Sequence, residues 1–247
     1  MTRISSHRIQ KLTGTLTVPG DKSISHRALI LGASAVGETV IYGLLEGEDV
    51  MTTAKALKYL GIEIKKNSNG SWSVIGRGVG GLSESSNVLD MGNTGTGMRL
   101  LLGLLASHPF NTIFTGDASL KMRPMDRVIS PLKRMGAVFD AHMGNTLPLL
   151  VKGSDMLQPI TETLKVASAQ VKSAILLAGL NTRGKTTVIE PLPTRDHTEK
   201  LLEKFGADVR IEVIGGESRI SIVGQPELFA QEVSIVGDPS SAAFPLV

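Results

Sequence analysis

The stretch GNTGTGMRLLLGLLAS at residues 92–107 joins a loop of small and polar residues to an apolar run typical of a buried helix. Three further stretches open in the same way. They are GDKSISHRALILGASA at 20–35, ASAQVKSAILLAGLN at 167–181 and GDPSSAAFPLV at 237–247. Measured between Ser23, Gly95, Ser168 and Ser240, the successive steps are 72, 73 and 72 residues. Such regular spacing indicates a repeated structural unit.

The repeated units also close alike, with a helical pattern, a glycine and a β-rich stretch. These closings are ALKYLGIEIKK at 56–66, PLKRMGAVFDA at 131–141 and LLEKFGADVRI at 201–211. Gly61, Gly136 and Gly206 each suit a left-handed helix C-cap before a strand. Strands rich in β-branched residues (ETVIYGLL, NTIFTGD, KTTVIEPL) lie between the two helices of each unit. The sequence therefore predicts an α/β globule of three loop–helix–strand–helix–strand–strand units, covering roughly residues 20–236.

Composition narrows the function classes. The chain is 41% hydrophobic and 20% charged, with a net charge of +3 that suits a small anion better than a polyanion. Aromatic residues make up 4%, which argues against a base-stacking nucleic-acid binder, and the absence of cysteine excludes disulfides and thiolate chemistry. The N-terminus lacks a signal-peptide pattern, and the apolar run at 100–106 is too short to span a membrane. We expect a cytoplasmic protein without a membrane or nucleic-acid partner.

The opening at residues 20–35 carries three side chains suited to an anion. Ser23 and Arg27 are four residues apart and share one face of the predicted helix, and Lys22 lies just before its first turn. A helix N-terminus presents free backbone N–H groups and the positive end of the helix dipole, so it favours phosphate or carboxylate. A solvated helix cap with two surface cations is the alternative, and this stretch alone leaves both open.

The loop GNTGTGMR at 92–99 raises the question of a nucleotide site. It matches the glycines of a P-loop, but Met98 and Arg99 stand where that motif has Lys and Ser or Thr. A dinucleotide fingerprint also fails, because Leu100 occupies the place of its third glycine. Gly95 and the short polar side chains still allow a ligand to approach the backbone closely. An ordinary turn with a helix cap is the alternative.

Polar or cationic side chains stand at three other predicted helix starts. They are Lys121 and Arg123 in GDASLKMRP at 116–124, Ser168 and Gln170 in ASAQVKSA at 167–174, and Thr194 and Arg195 in PTRDHTEK at 193–200. Because helix starts of a repeated unit can converge on one point, these residues are candidates for a shared anion site. For Lys121 and Arg123, a solvated basic face is the alternative.

The histidines do not indicate a metal site. His197 and Glu199 form an H-x-E pattern, but a zinc deaminase also needs a P-C-x-x-C segment, which a chain without cysteine cannot provide. We therefore expect this pair to lie on a plain helical surface. His26, His108 and His142 show no ligand spacing, and we expect them to be structural or exposed. No HExxH, DxDxDG or G-x-S-x-G motif is present, so the sequence predicts neither metal nor serine-triad chemistry.

Five motifs, in their order and spacing, resemble the 5-enolpyruvylshikimate-3-phosphate synthase family. They are VPGDKSISHRA, GNTGTGMRL, GDASLKMRPM, ASAQVKSAILLAGL and GDPSSAAF, and the resemblance runs from about residue 10 to Val247. Members of this family have six units in two globules of an inverse α/β fold. The resemblance implies that residues 20–236 are the first globule, built from three βαβαββ-type units. It further implies that residues 1–19 and 237–247 are the leading segment and the truncated start of a second globule.

The resemblance also implies an activity. The family transfers the enolpyruvyl group of phosphoenolpyruvate to the 5-hydroxyl of shikimate 3-phosphate, for aromatic amino-acid biosynthesis. It releases phosphate, passes through a tetrahedral adduct and uses no metal or other cofactor. The implied partners are these two small anions and the second globule of a protein that is monomeric at full length.

The family's site residues carry over onto matching positions. By resemblance, Lys22 is catalytic and borders both substrates. The residues implied for shikimate 3-phosphate are Lys22, Ser23, Arg27, Ser168, Ala169, Gln170 and Arg195. Those implied for phosphoenolpyruvate are Lys22, Gly95, Arg123 and Gln170. The family's proton-transferring carboxylates and several further cations belong to the second globule, so we expect residues 1–247 alone to bind weakly and not to turn over.

Gly95 bears on inhibition by glyphosate. Tolerant members of a similar bacterial subgroup carry Ala at this position, where a methyl group crowds the inhibitor more than the smaller phosphoenolpyruvate. We expect the full-length enzyme to be sensitive, or to gain tolerance on Gly95→Ala.

Three alternatives stay open. The sister enolpyruvyl transferase acting on UDP-N-acetylglucosamine shares the repeat, but its usual Cys loop corresponds to GDASLKMRP here and its Lys-Asn pair to Lys22 and Ser23. A P-loop NTPase needs a lysine where Met98 stands. A folded domain fragment without activity is the non-catalytic alternative.

Overall fold

The computed structural model describes Ser5 and residues 13–246, in which helices and strands are interspersed along the chain. The helices are α1 (Lys22–Ser34), α2 (Glu48–Tyr59), α3 (Gly95–Ala106), α4 (Ala118–Lys121), α5 (Asp126–Met135), α6 (Ala169–Leu180), α7 (His197–Lys204) and α8 (Pro239–Leu246). The strands are β1 (Val36–Tyr42), β2 (Glu63–Lys66), β3 (Trp72–Arg77), β4 (Leu89–Asp90), β5 (Asn111–Thr115), β6 (Val138–His142), β7 (Thr146–Lys152), β8 (Thr161–Thr163), β9 (Lys185–Glu190), β10 (Val209–Ile214), β11 (Glu217–Val223) and β12 (Glu232–Ser234). This order confirms the predicted α/β class.

The strands of the described residues form three four-stranded sheets with one topology. Their orders are β12-β1-β3-β2, β4-β5-β7-β6 and β8-β9-β11-β10. In each sheet the first pair of strands is parallel and the other two pairs are antiparallel. The three units therefore share a βαβαββ arrangement, as the sequence repeat and the family resemblance predict.

The first sheet takes its parallel edge strand from the far end of the chain. Strand β12 follows the third unit and pairs with β1 in the register Val40 to Glu232. Next to this pairing, Gly20 and Gly237 form a β-bridge, and the amide of Asp21 donates to the carbonyl of Val236 at 2.8 Å. These long-range contacts join the first and third units.

Helices α1, α3 and α6, which follow the three loop openings, form the centre of the globule. Helix α3 buries ten of its 12 residues, and its nearest helical neighbour is α6. A Cβ atom at Gly103 would lie 2.1 Å from the backbone oxygen of Ala174 in α6, so glycine alone fits at this crossing. Helices α3 and α6 thus pack with their backbones in close contact.

The glycines that close each unit adopt the predicted conformation. Gly61, Gly136 and Gly206 have φ angles of 89°, 107° and 98°, in the left-handed region. Each of them directs the chain from a helix into the next strand, which confirms the predicted C-caps.

The segments on either side of the three units lie mainly at the surface. Residues 13–19 are largely exposed, and α8 exposes Phe244 and Leu246 by 87% and 82%. Most of the predicted leading segment (residues 1–4 and 6–12) and the last residue of the trailing segment lie outside the described residues. In the part of the chain that the structure describes, every helix is too short or too polar to cross a bilayer.

Candidate active site

The three repeat openings each start a helix with a side-chain cap. The capping bonds run from Ile24 N to Asp21 Oδ1 at 2.8 Å in α1, from Gly97 N to Thr94 Oγ1 at 3.1 Å in α3, and from Val171 N to Ser168 Oγ at 3.4 Å in α6. A cap satisfies one N–H group, whereas the first turn of a helix has four without intrahelical partners. Each opening therefore retains backbone donors for an anion.

Lys22 and Arg27 leave the first opening in different directions. The ammonium group of Lys22 forms an ion pair with Asp49 in the first turn of α2, and 46% of the Lys22 side chain stays exposed. Arg27 is buried and donates from Nε to Thr198 Oγ1 at 2.6 Å and from Nη2 to Ser173 Oγ at 2.7 Å. Arg27 therefore joins α1 to α6 and α7, while Lys22 faces the open side of the site.

Arg99 and Gln170 link the second opening to the third. Arg99 Nη1 donates to Gln170 Oε1 at 3.1 Å and to the carbonyl of Gly95 at 3.2 Å. Gln170 Nε2 donates in turn to Thr96 Oγ1 at 2.9 Å. Because the second opening engages both ends of the Gln170 amide, the N-termini of α3 and α6 are held side by side.

Arg123 and Arg195 reach the openings from other segments. Arg123 Nη2 donates to Asn93 Oδ1 at 2.5 Å, which places this guanidinium group against the second opening. Arg195 Nη1 donates weakly to Ser23 Oγ at 3.4 Å, which places it against the first. Both arginines thus stand where a ligand on the helix N-termini can meet them.

Gly95 provides the space in which two of these cations meet. A Cβ atom at this position would lie 3.0 Å from Nη1 of both Arg99 and Arg123. Any side chain here would therefore displace at least one guanidinium group.

Three adjoining cavities of about 460, 440 and 500 Å³ lie over the openings, and Gln170 lines all three. The residues named by sequence in the first cavity are Lys22, Gly95, Arg123 and Gln170. Arg123, Ser168 and Gln170 line the second together with Arg99. Ser168, Ala169, Gln170, Thr194 and Arg195 line the third. Ser23 and Arg27 are not lining residues, but each contacts the site through the bonds given above.

The electrostatics of this region favour a bound anion. Burial lowers the pKa of Arg27 to about 10, so the group keeps its charge at neutral pH. Burial, with the nearby charges of Arg123 and Arg127, also lowers the pKa of Arg99. An anionic ligand would relieve this repulsion between cations.

His26 sits beneath the first opening as a neutral support. It is buried, its Nδ1 is 2.9 Å from Thr53 Oγ1 in α2, and burial together with the charge of Lys22 lowers its pKa to about 3. His26 therefore ties α1 to α2 without adding charge. It is structural, as expected.

Two residues of the site escaped the sequence analysis. The acidic start of α2 is a common complement to the helix dipole, so nothing in the sequence singled out Asp49 as the partner of Lys22. Arg99 drew attention only for not being a P-loop serine or threonine, although it bridges two openings. Lys121, by contrast, is exposed and does not line the three cavities.

The prediction that His197 and Glu199 lie on a plain helical surface is wrong for Glu199. This residue is 1% exposed and forms an ion pair with Lys172 Nζ at 2.6 Å, because α7 packs that face against the body of the protein. Among the described residues, His, Asp and Glu nowhere gather in a group of three suited to a metal ion.

Fold and site together define a class: a repeated α/β domain that gathers helix N-termini and guanidinium groups around adjoining cavities. A family model described as EPSP synthase (3-phosphoshikimate 1-carboxyvinyltransferase) matches residues 6–247. The chain belongs to this family, which confirms the resemblance drawn from the five motifs.

Individual relatives of this chain carry the same family name. The 3-phosphoshikimate 1-carboxyvinyltransferase of Paramagnetospirillum magneticum is 60% identical over 245 residues, which cover 99% of this chain and 55% of that protein. The protein of the same name from Parvibaculum lavamentivorans is 59% identical over 237 residues, covering 96% and 52%. The solved structure of EPSP synthase from Acinetobacter baumannii has a TM-score of 0.87 and 47% identity, covering 94% and 51%. The chain thus spans about half the length of the relatives it matches.

Proposed function

We propose that this chain supplies the first half of an active site that transfers the enolpyruvyl group of phosphoenolpyruvate to shikimate 3-phosphate. In this reaction the 5-hydroxyl oxygen bonds to C2 of phosphoenolpyruvate, C3 gains a proton, and the hydroxyl proton is lost. The resulting adduct then expels phosphate and loses a proton from C3, which restores the double bond. The described residues contribute by holding two anions in attack geometry.

Phosphoenolpyruvate is assigned to the cavity of about 460 Å³. Lys22 and Arg123 supply positive charge there, and Gly95 leaves the second helix N-terminus open to the ligand. Lys22 stands between the first two openings, so its ammonium group can contact both substrates and stabilise charge on the transferring oxygens.

Shikimate 3-phosphate is assigned to the cavity of about 500 Å³, lined by Ser168, Ala169 and Arg195. Ser23 belongs to the same group because Arg195 donates to its hydroxyl, and Arg27 adds a buried positive charge nearby. The Arg27 guanidinium group has five N–H donors. In the described part of the chain, three of them donate hydrogen bonds to Thr198, Ser173 and the Ser23 carbonyl, which leaves two for a ligand.

The position of Gln170 between the second and third openings is the observation that carries this proposal. Its side chain joins the second and third openings and lines every one of the three cavities. A residue so placed lies between two ligands, which is the arrangement that a transfer between two anions requires.

The division of the chain is part of the proposal. Residues 20–236 would form the first globule, while 1–19 and 237–247 would lead from and into a second one. The bridge between Gly20 and Gly237 supports this division, because it places the two crossings side by side. So does α8, whose apolar Phe244 and Leu246 are exposed. The cytoplasmic location and the monomeric state remain predictions.

The UDP-N-acetylglucosamine alternative is not favoured, because the relatives reported above are named 3-phosphoshikimate 1-carboxyvinyltransferase. The P-loop alternative loses its basis as well, since Met98, which stands where that motif has its lysine, is fully buried.

A fused chain tests the proposal. Residues 1–247 would be followed by the second half of the Paramagnetospirillum magneticum relative, and phosphate release would be measured with both substrates. We expect turnover by the fused chain and none by residues 1–247 alone.

Matched lysine variants locate the activity. Lys22→Met in the fused chain should lower kcat by about 100-fold or more, as removal of a group that stabilises developing charge does. Lys121→Met, an exposed lysine outside the cavities, should leave kcat unchanged. A folded fused chain that acts on UDP-N-acetylglucosamine but not on shikimate 3-phosphate would refute the assignment.

A further inference from the structure

A buried cluster of charges lies behind the third opening. Lys172 Nζ in α6 is 2.7 Å from Glu190 Oε2 at the end of β9 and 2.6 Å from Glu199 Oε1 in α7. All three side chains are at most 2% exposed. The cluster therefore fixes the end of β9 relative to two helices.

The charges of this cluster restrict it to one arrangement. One ammonium group faces two carboxylates, and the positive charge of Arg27 acts on Glu199 from α1. In the described part of the chain, Glu199 Oε2 has no hydrogen-bond partner, and burial raises the pKa of this carboxyl. Because an unpaired buried charge is costly, Glu190 has little freedom to leave Lys172.

Glu190 transmits this rigidity to the loop that carries Arg195. Its second oxygen, Oε1, accepts a hydrogen bond from Thr194 Oγ1 at 2.5 Å. This bond links the end of β9 to Thr194, which lies within the irregular segment between β9 and α7, residues 191–196. Arg195 is the next residue along and is itself exposed.

An exposed arginine such as Arg195 depends strongly on a backbone that is fixed by neighbouring residues. Its long side chain loses rotamer entropy when it is fixed. In the part of the chain that the structure describes, its side-chain hydrogen bond to Ser23 Oγ is long, at 3.4 Å. The backbone at Arg195 therefore depends on Thr194 for its position more than on contacts of its own.

We propose that Glu190, fixed by Lys172, acts through Thr194 as a positioning residue for Arg195 and thereby for the phosphorylated substrate. This inference rests on the proposed function, since it takes Arg195 as a contact of shikimate 3-phosphate. It adds Glu190, which is not among the lining residues of the three cavities, and it gives Thr194, which lines the cavity assigned to this substrate, a role that acts through Arg195.

Thr194→Val tests the inference in the fused chain, because valine keeps the shape of threonine and removes its hydroxyl. We expect KM for shikimate 3-phosphate to rise about three- to tenfold, the effect of one lost hydrogen bond. The KM for phosphoenolpyruvate should stay close to that of the parent, and the melting temperature should fall by only about 2–4 °C, because the buried Glu190 Oε1 loses one donor but keeps its neighbour Lys172. Thr194→Ser, which keeps the hydroxyl, should restore the parent KM.

Thr186→Val is the matched control. Thr186 lies on the same strand β9, and its buried hydroxyl has no partner in the described part of the chain. This change should alter neither KM. A rise equal to that of Thr194→Val would overturn the inference by showing a general response of β9.

The double variant Thr194→Val with Arg195→Ala separates positioning from a direct role. If Thr194 acts through Arg195, the double variant should have the same KM as Arg195→Ala alone. A full additional rise in the double variant would overturn the inference, and so would a parent-like KM in Thr194→Val.

Hydrogen exchange keeps the test independent of the proposed function. Thr194→Val should speed deuterium uptake by residues 191–197 in the unliganded protein, whereas Thr186→Val should not. Unchanged uptake would overturn the positioning role. Faster uptake without any binding of shikimate 3-phosphate by the parent would instead refute the proposed function and leave the coupling to the loop established.

Discussion

Gly95→Ala perturbs the point at which Arg99 and Arg123 meet. The added Cβ would lie 3.0 Å from Nη1 of both side chains, whereas ordinary contacts begin at 3.4 Å, so each group must retreat by roughly 0.4 Å. Gly95 begins α3, where alanine is a favoured residue, so we expect the fold to tolerate the change. The variant therefore isolates the effect on the cations.

The expected magnitude follows from these displaced guanidinium groups. A hydrogen bond to a charged group contributes about 1.5–3 kcal/mol, and a partial loss of about 1–2 kcal/mol raises KM roughly 5- to 30-fold. We predict such a rise for phosphoenolpyruvate and little change for shikimate 3-phosphate. Glyphosate, being larger, should lose more affinity than phosphoenolpyruvate does.

Steady-state kinetics of the fused chain would measure both KM values and the inhibition curve. Gly47→Ala is a suitable control. The nearest described atoms to its added Cβ belong to the Leu45 side chain, at an ordinary 3.5 Å, and Gly47 directly precedes Glu48 of the same cavity. Parent-like values of the phosphoenolpyruvate KM and of glyphosate inhibition in Gly95→Ala would refute the reasoning.

Three further predictions concern stability, each measured by denaturant unfolding. Gly103→Ala should destabilise the protein by more than about 3 kcal/mol, because the methyl group would lie 2.1 Å from the backbone oxygen of Ala174. A loss of less than about 0.5 kcal/mol would contradict the close packing of α3 against α6. Lys172→Met should cost about 3–5 kcal/mol by leaving Glu190 and Glu199 buried without their cation, and a neutral effect would contradict the ion pairs. His26, whose pKa burial lowers from 6.5 to about 3, is neutral in the folded state while the unfolded state binds a proton below pH 6.5. Its contribution to the free energy of unfolding is therefore complete above pH 6.5 and is lost towards pH 3, at about 1.4 kcal/mol per pH unit. His26→Gln should reduce this dependence of stability on pH. An unchanged dependence would refute the assignment of His26 as a buried neutral histidine.

The fold was predictable where local patterns determine it. The apolar helices after Ser23, Gly95 and Ser168, and the glycine caps at Gly61 and Gly136, depend on nearby residues, and the structure confirms them. The parallel first strands β4 and β8 have two and three residues, too few for a periodic pattern, so the family resemblance predicted them and the local sequence did not. The pairing of β12 with β1 joins residues near 40 to residues near 232, and no local signal records such a contact.

The site was predictable as a set of residue types but not as a network. The repeat placed Lys22, Gly95 and Ser168 at equivalent helix starts, and the cavities bring these starts together. The burial of Lys172 and Glu199 could not be deduced, because α7 acquires its buried face by packing against α1 and by the contacts of Glu199 and Thr198 with α6. Tertiary packing, which sequence periodicity does not encode, decides which charges become structural.

A calorimetric titration of residues 1–247 with shikimate 3-phosphate tests most directly whether the three openings form one anion site. We predict weak, saturable binding that Arg195→Ala reduces about tenfold, as expected for the loss of one charge-assisted contact, and that shikimate without its phosphate does not reproduce. Equal affinity for the two compounds, or binding unchanged by Arg195→Ala, would contradict the account.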